Sequence, residues 1–255
     1  MGAALPGDAR GAVSGTRFHT LADRRRIAFR FTAGSGPALV FLPGYMSDMA
    51  GSKATAVFDW AACEGRACLL LDYSGCGESD GSFADGMLNR WRDEVLALIA
   101  AHCAGPVVLI GSSMGGWLML LVALAVPERI AALVGIAAAP DFTAWGFSDE
   151  QQTELLAGEA VLEENAYGPQ PTPTFPLFWA DGQANLLLDT DIALTCPVRL
   201  LHGQQDADVP WEVSLRLADA LRSADVQVTL VKDGDHRLSR DGDIALLLRT
   251  LTALD

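Results

Sequence analysis

Apolar residues in this chain come in short dense runs, separated by stretches where apolar positions recur at helical spacing. Ala38-Leu39-Val40-Phe41-Leu42, Ala67-Cys68-Leu69-Leu70-Leu71, Pro106-Val107-Val108-Leu109-Ile110 and Ile130-Ala131-Ala132-Leu133-Val134-Gly135-Ile136 read as strands buried on both faces. Two more strands are predicted at Cys196 to Gly203 and Val226 to Val231. Ile27-Ala28-Phe29-Arg30-Phe31 alternates, which predicts an antiparallel, half-exposed strand. Helices are predicted over Lys53 to Glu64, Leu88 to Cys103 (with Trp91, Val95, Leu98 and Ile99 on one face), Pro210 to Arg222 and Asp243 to Leu254. Met1 to Thr16 reads as a loose tail. Strands alternating with helices imply an α/β fold, a doubly wound, mostly parallel sheet with right-handed crossovers. In such sheets the active site lies beyond the carboxyl ends of the strands, so each exit loop carries candidates.

The alternation fails between Pro140 and Asp191. Acidic, helix-like segments (Ser148 to Leu156, Glu159 to Glu164) lead into Gly168-Pro169-Gln170-Pro171-Thr172-Pro173-Thr174-Phe175-Pro176. About 50 residues exceed an ordinary loop, and long excursions of this kind are often lids. The expected organisation is a single domain over 1–255, with 140–191 as a helical cap inserted after the strand Ile130 to Ile136. Trp145, Phe147, Phe175, Phe178 and Trp179 either line an acyl pocket there or hold the cap to the body.

One strand deserves a closer reading for its exit. Pro106 to Ile110 runs into Gly111-Ser112-Ser113-Met114-Gly115-Gly116 and then Trp117-Leu118-Met119-Leu120-Leu121, a run suited to a buried helix. Strand, Gly-x-Ser-x-Gly and helix form the nucleophile elbow of α/β-hydrolases, with Ser113 held clear of the backbone. The pattern occurs twice. The second copy, Gly77-Glu78-Ser79-Asp80-Gly81, has no strand leading into its serine and no apolar helix after it, so Ser79 is expected in a loop.

Composition narrows the partners. The 255 residues are 50% hydrophobic and 20% charged, as in a globular protein with a large core. A net charge of −14 argues against nucleic acid and anionic membrane surfaces. No stretch reaches the ~18 apolar residues of a membrane span, so no stable membrane insertion is expected. Cys63, Cys68, Cys76, Cys103 and Cys196 are odd in number and form no C-x-x-C pair, which suggests free thiols in a reducing compartment. Pro6, Gly7 and Asp8 stand where a secretory signal would have its apolar core. A cytoplasmic location is expected, with organelle targeting by the first dozen residues left open.

A serine hydroxyl needs a base to take its proton, and the base needs an acid to hold its tautomer. Of the four histidines, His19 precedes the expected sheet, His102 ends a helix, and His202 ends a strand and is expected to pack beside the site. His236 follows the last strand, on the loop that should sit over Ser113. The chain order of this fold asks for an acid between them, after a strand. Asp206 is the choice and Asp208 the alternative, in Gly203-Gln204-Gln205-Asp206-Ala207-Asp208. The oxyanion hole is expected from the backbone N–H groups of Met114 and Tyr45. No cofactor and no metal is expected.

Longer motifs carry a more specific likeness. PGYMSDMAGSKA, DYSGCGESDG, GSSMGGWLML and CPVRLLHGQQDADVPW resemble the α/β-hydrolase-domain family of the mitochondrial palmitoyl-protein thioesterase, also described as mycophenolic acid acyl-glucuronide esterase. The similarity covers roughly residues 25 to 250 and is weakest in the cap. It implies Ser113, Asp206 and His236 as the triad, and esterase or thioesterase activity on small-molecule or protein-linked acyl substrates without a cofactor. Pro43-Gly44 stands where many hydrolases have His-Gly. The other class of reading is a non-catalytic binding protein on the same fold.

Overall fold

The computed structural model describes residues 15–165 and 168–254. The tail expected over Met1 to Thr16 lies, but for its last two residues, outside them. In chain order the elements are β1 (Arg17–Thr20), β2 (Arg26–Thr32), β3 (Ser35–Leu42), α1 (Ser52–Cys63), β4 (Arg66–Leu71), α2 (Leu88–His102), β5 (Val107–Ser112), α3 (Met114–Ala125) and β6 (Ile130–Ile136). There follow α4 (Phe142–Trp145), α5 (Asp149–Leu156), β7 (Val161–Glu163), β8 (Thr172–Thr174), α6 (Pro176–Gln183), β9 (Val198–Gly203), α7 (Glu212–Ala220), β10 (Val226–Val231) and α8 (Asp241–Thr252).

Eight strands make one sheet in the order β1-β2-β4-β3-β5-β6-β9-β10. β1 with β2 and β2 with β4 are antiparallel, and the remaining pairs are parallel. Successive residues of a strand point to opposite faces, so each central strand feeds two cores. From β3, Val40 and Leu42 join the core that holds Trp91 of α2 and Trp117 of α3. Leu39 and Phe41 join the one that holds Val57 of α1 and Leu251 of α8. Burial on both faces is why the central strands read as unbroken apolar runs.

The structure departs from the sequence reading at three places. β2 is not half-exposed at Ile27-Ala28-Phe29: all three are buried, because Ile27 and Phe29 face one core and Ala28 the other. Arg17-Phe18-His19-Thr20 has too little apolar character to announce β1, and His19 therefore lies within the sheet rather than ahead of it. Glu159 to Glu164 is not helical. Gly158, at φ +88°, ends α5, and Val161-Leu162-Glu163 then pairs antiparallel with Thr174-Pro173-Thr172. Val161 turns inward and Leu162 outward, the period-two pattern of a strand. The stretch between β6 and β9 thus carries a two-stranded sheet as well as the helices α4, α5 and α6.

Candidate active site

The elbow is built by close approach. A Cβ on Gly111 would stand 2.3 Å from the Gly115 carbonyl oxygen, and one on Gly115 would stand 2.1 Å from that of Leu42. Only glycine lets β5, α3 and β3 meet here. Between them Ser113 takes φ 54° and ψ −123°, a conformation that side chains rarely adopt and that carries strain. It is held by its N–H bonding to the Ile136 carbonyl (2.9 Å) and its own carbonyl accepting from Gly116 (2.8 Å) and Ala139 (3.1 Å). The sharp turn leaves the half-buried Ser113 Oγ ahead of the first turn of α3.

His236 comes to it from the loop after β10. Its Nε2 lies 3.1 Å from Ser113 Oγ and its Nδ1 lies 2.8 Å from Asp206 Oδ2. With Nδ1–H donating to the carboxylate, Nε2 is left as the acceptor for the serine proton. The loops that carry Asp206 and His236 are packed backbone to backbone: a Cβ on Gly203 would fall 2.2 Å from the Gly234 carbonyl oxygen, and Gln205 N–H donates to that same oxygen (2.8 Å). Asp206 has no exposed side-chain surface. Burial pushes its carboxyl upward, but hydrogen bonds from His202 and His236 outweigh that and hold it well below the usual carboxylate range. Of the two acids weighed in this loop, Asp206 meets His236, while Asp208 is exposed and donates its backbone N–H to Asp206 Oδ1 (2.9 Å).

The loop after β3 lies against the elbow. A Cβ on Gly44 would come within 3.3 Å of Ser113 Cβ, so the loop that carries Tyr45 runs beside Ser113. Three anchors fix this loop. Tyr73 donates its hydroxyl to the Pro43 carbonyl (3.0 Å), Tyr45 donates its own to that of Pro173 (3.0 Å), and buried Asp72 accepts from the N–H of Met49 (2.7 Å). Burial raises the Asp72 carboxyl against the pull of its N–H donors. The second Gly-x-Ser-x-Gly serine is structural in its contacts. Ser79 Oγ donates to the Asp72 carbonyl (2.7 Å) and accepts from Ala28 N–H (2.8 Å).

The five aromatics of the stretch after β6 part company. Phe147 and Trp179 pack with Leu155 and Val161 in a small core of that stretch, and Trp179 Nε1 donates to the Thr143 carbonyl (3.0 Å). Trp145 Nε1 donates to the Pro140 carbonyl (2.9 Å). Phe178 is buried against Tyr45 and Trp91. Phe175 alone lines a cavity of about 380 Å³, with Met46, Phe83, Cys76 and Pro173. That cavity opens from the residue after Tyr45, and its lining does not include Ser113.

Asp206, Asp208 and His236 place their donor atoms within 4.8 Å of one another, the one such group among the described residues. Both ring nitrogens of His236 already face partners, so a metal there would have to displace Ser113 or Asp206. All five cysteines are free thiols, with Cys68, Cys76 and Cys103 buried and Cys63 exposed. Among the described residues no helix is long and apolar enough to cross a membrane. His202 packs beside the site as expected, but sequence reasoning missed its contact: Nε2 lies 3.1 Å from Asp206 Oδ2. The signal for that contact was a spacing of four residues across a strand exit.

Several known proteins are similar to this chain. The family described as alpha/beta hydrolase fold matches residues 37–176. The mitochondrial palmitoyl-protein thioesterase ABHD10 of Mus musculus is 42% identical over 233 residues, covering 89% of this chain and 78% of that protein. Its Homo sapiens counterpart is 38% identical over 241 residues, covering 91% and 77%. Among solved structures, alpha/beta hydrolase domain-containing protein 10 from mouse has a TM-score of 0.88 at 38% identity, covering 94% of this chain and 98% of that one. A putative hydrolase from Agrobacterium vitis S4 also has a TM-score of 0.88, at 36% identity, with 94% and 99% covered.

Proposed function

The chain belongs to the α/β-hydrolase fold family and is a hydrolase of thioesterase or esterase type; on that premise we propose that it cleaves acyl esters or thioesters through an acyl-Ser113 intermediate. The observation that carries this reading is the unbroken path from Ser113 Oγ through His236 to Asp206, at 3.1 and 2.8 Å. His236 Nε2 takes the serine proton as Oγ attacks the acyl carbonyl, and returns it to the departing alcohol or thiol. Water then enters, His236 takes its proton, and the acid leaves as Ser113 recovers its hydrogen. Asp206 holds the imidazole with Nδ1–H toward the carboxylate and stabilises the cation that forms in each step. The N–H groups of Met114 and Tyr45 receive the oxyanion, where losing one donor costs about 10²–10³ in turnover. The mechanism uses no cofactor.

Residues 140–191 act as a cap in a single-domain enzyme. Phe175, on the wall of the cavity beside Tyr45, is the cap aromatic that meets the acyl chain, while Trp145, Phe147, Phe178 and Trp179 hold the cap together and to the body. The substrate class follows the relatives, which are named palmitoyl-protein thioesterases and mitochondrial. Five free thiols suit a reducing compartment, whether cytosol or organelle.

The test is hydrolysis of a matched acyl series, short to long, as oxygen esters and thioesters, by the intact protein and by Ser113→Ala. Serine-dependent turnover of long-chain thioesters is the expected outcome. Turnover that survives in folded Ser113→Ala would sink the assignment.

A further inference from the structure

Four donors converge on the Asp206 carboxylate. Oδ1 accepts the N–H groups of Asp208 (2.9 Å) and Val209 (2.8 Å), and Oδ2 accepts His236 Nδ1–H (2.8 Å). The fourth is His202, whose Nε2 lies 3.1 Å from that same Oδ2 and 3.1 Å from the Val209 carbonyl oxygen. Two acceptors at one ring nitrogen assign the hydrogen to Nε2. On the other side of the ring, Ser214 Oγ stands 2.7 Å from Nδ1. His202 is fully buried, and Ser214 and Val209 nearly so. A core histidine needs partners only for its own polar atoms. This one spends its donor on the oxygen that His236 uses.

We propose that His202, braced by Ser214, is a positioning residue for hydrolysis: it fixes Asp206 Oδ2 against rotation and limits the negative charge that this oxygen presents to His236. The inference rests on Asp206 and His236 acting as acid and base. Each donor to a carboxylate oxygen draws charge from it and removes one lone-pair direction, so the remaining direction is the one His236 needs. An aliphatic residue at 202 would leave Oδ2 with a single donor and the Val209 carbonyl without this one. The carboxylate would keep three of its four donors but lose the one that restrains Oδ2 from the strand side, and the Oδ2 charge would bear more strongly on the imidazolium. The other charged groups near this pair are Asp208 on the same loop, Asp235 and Arg237 on the histidine loop, and Lys53 of α1, which donates to the Arg237 carbonyl and also feels Asp243 of α8. The variants below leave all of these groups in place.

The experiment measures kcat, KM and the pH dependence of kcat/KM on one thioester for the intact protein, His202→Leu, His202→Gln and Ser214→Ala, with Ser113→Ala as control. His202→Leu should lose roughly 10- to 100-fold in kcat, the scale of a lost hydrogen bond to a charged group, with KM unchanged. Its acid limb should move to higher pH, because the unshared Oδ2 charge favours protonated His236. His202→Gln, which can carry an N–H to the Nε2 position, should restore most of the loss and return the limb. Ser214→Ala should move the limb in the same direction by less, and it decides the matter if His202→Leu does not fold. An unmoved limb in the folded variants, or a loss that Gln does not rescue, would overturn the role of His202 and reduce it to packing. Activity in Ser113→Ala would instead overturn the hydrolytic reading itself.

Discussion

The hydroxyl of Tyr45 donates a 3.0 Å hydrogen bond to the carbonyl of Pro173, across 128 positions of the chain. It ties the loop beside Ser113 to β8, in the stretch after β6, and its ring rests on Phe83 and Phe178. The side chain of this residue thus has a structural task separate from the one proposed for its backbone N–H.

Tyr45→Phe should separate the two. The N–H stays, so kcat on a small activated ester should remain within about threefold of the intact protein. The lost hydrogen bond should lower stability by about 1 kcal/mol. The looser tether to β8 should raise KM for long acyl chains. Urea unfolding and chain-length kinetics check this, and a hundredfold fall in kcat would show that the phenol itself takes part.

The duplicated Gly-x-Ser-x-Gly pattern makes a matched control. Ser79→Ala removes a hydroxyl that joins the Asp72 carbonyl to the N–H of fully buried Ala28, leaving that N–H without this partner. Stability should fall by about 1–3 kcal/mol while kcat/KM of the folded protein holds. Ser113→Ala should do the reverse. Loss of catalysis in a stable Ser79→Ala would reverse the choice between the two serines.

Asp206 should also be legible in acid. Its folded carboxyl is held below the unfolded value of ~3.9, so it contributes stability above that range. The contribution is lost as pH falls from about 4 through the lower folded value. Asp206→Asn should accordingly cost about 1–3 kcal/mol at pH 7 and progressively less below pH 4. Unfolding at both pH values measures it, and a gap that stays constant with pH would contradict the pairing with His202 and His236.

The Gly203–Gly234 contact shows where sequence stops and tertiary structure begins. The apolar runs at 38–42, 67–71, 106–110 and 130–136 read as buried parallel strands and became so, since strands of this length hide both faces in the middle of a sheet. The elbow was equally local, because Gly111 and Gly115 are needed within a few residues of the serine they flank. Sequence order then placed Ser113, the two candidate acids and His236 just beyond the carboxyl ends of β5, β9 and β10.

Other features depended on partners far along the chain. β1 exists because β2 offers it a ladder, and Val161 to Glu163 is a strand because Thr172 to Thr174 lies opposite. Local propensity could not see either. The aromatics of the stretch after β6 were split between core and cavity by packing, which composition does not encode. His202 stood four residues from Asp206 in the sequence, yet its ring meets the carboxylate only because the loop after β9 folds back over the strand end. Local periodicity thus determined the sheet and the tight turn at Ser113, since burial and turn sterics act over a few residues. Tertiary structure decided which acid meets His236, which aromatic lines the cavity and which second histidine reaches Asp206, because hydrogen-bond geometry is set by loops that meet only when the sheet is complete.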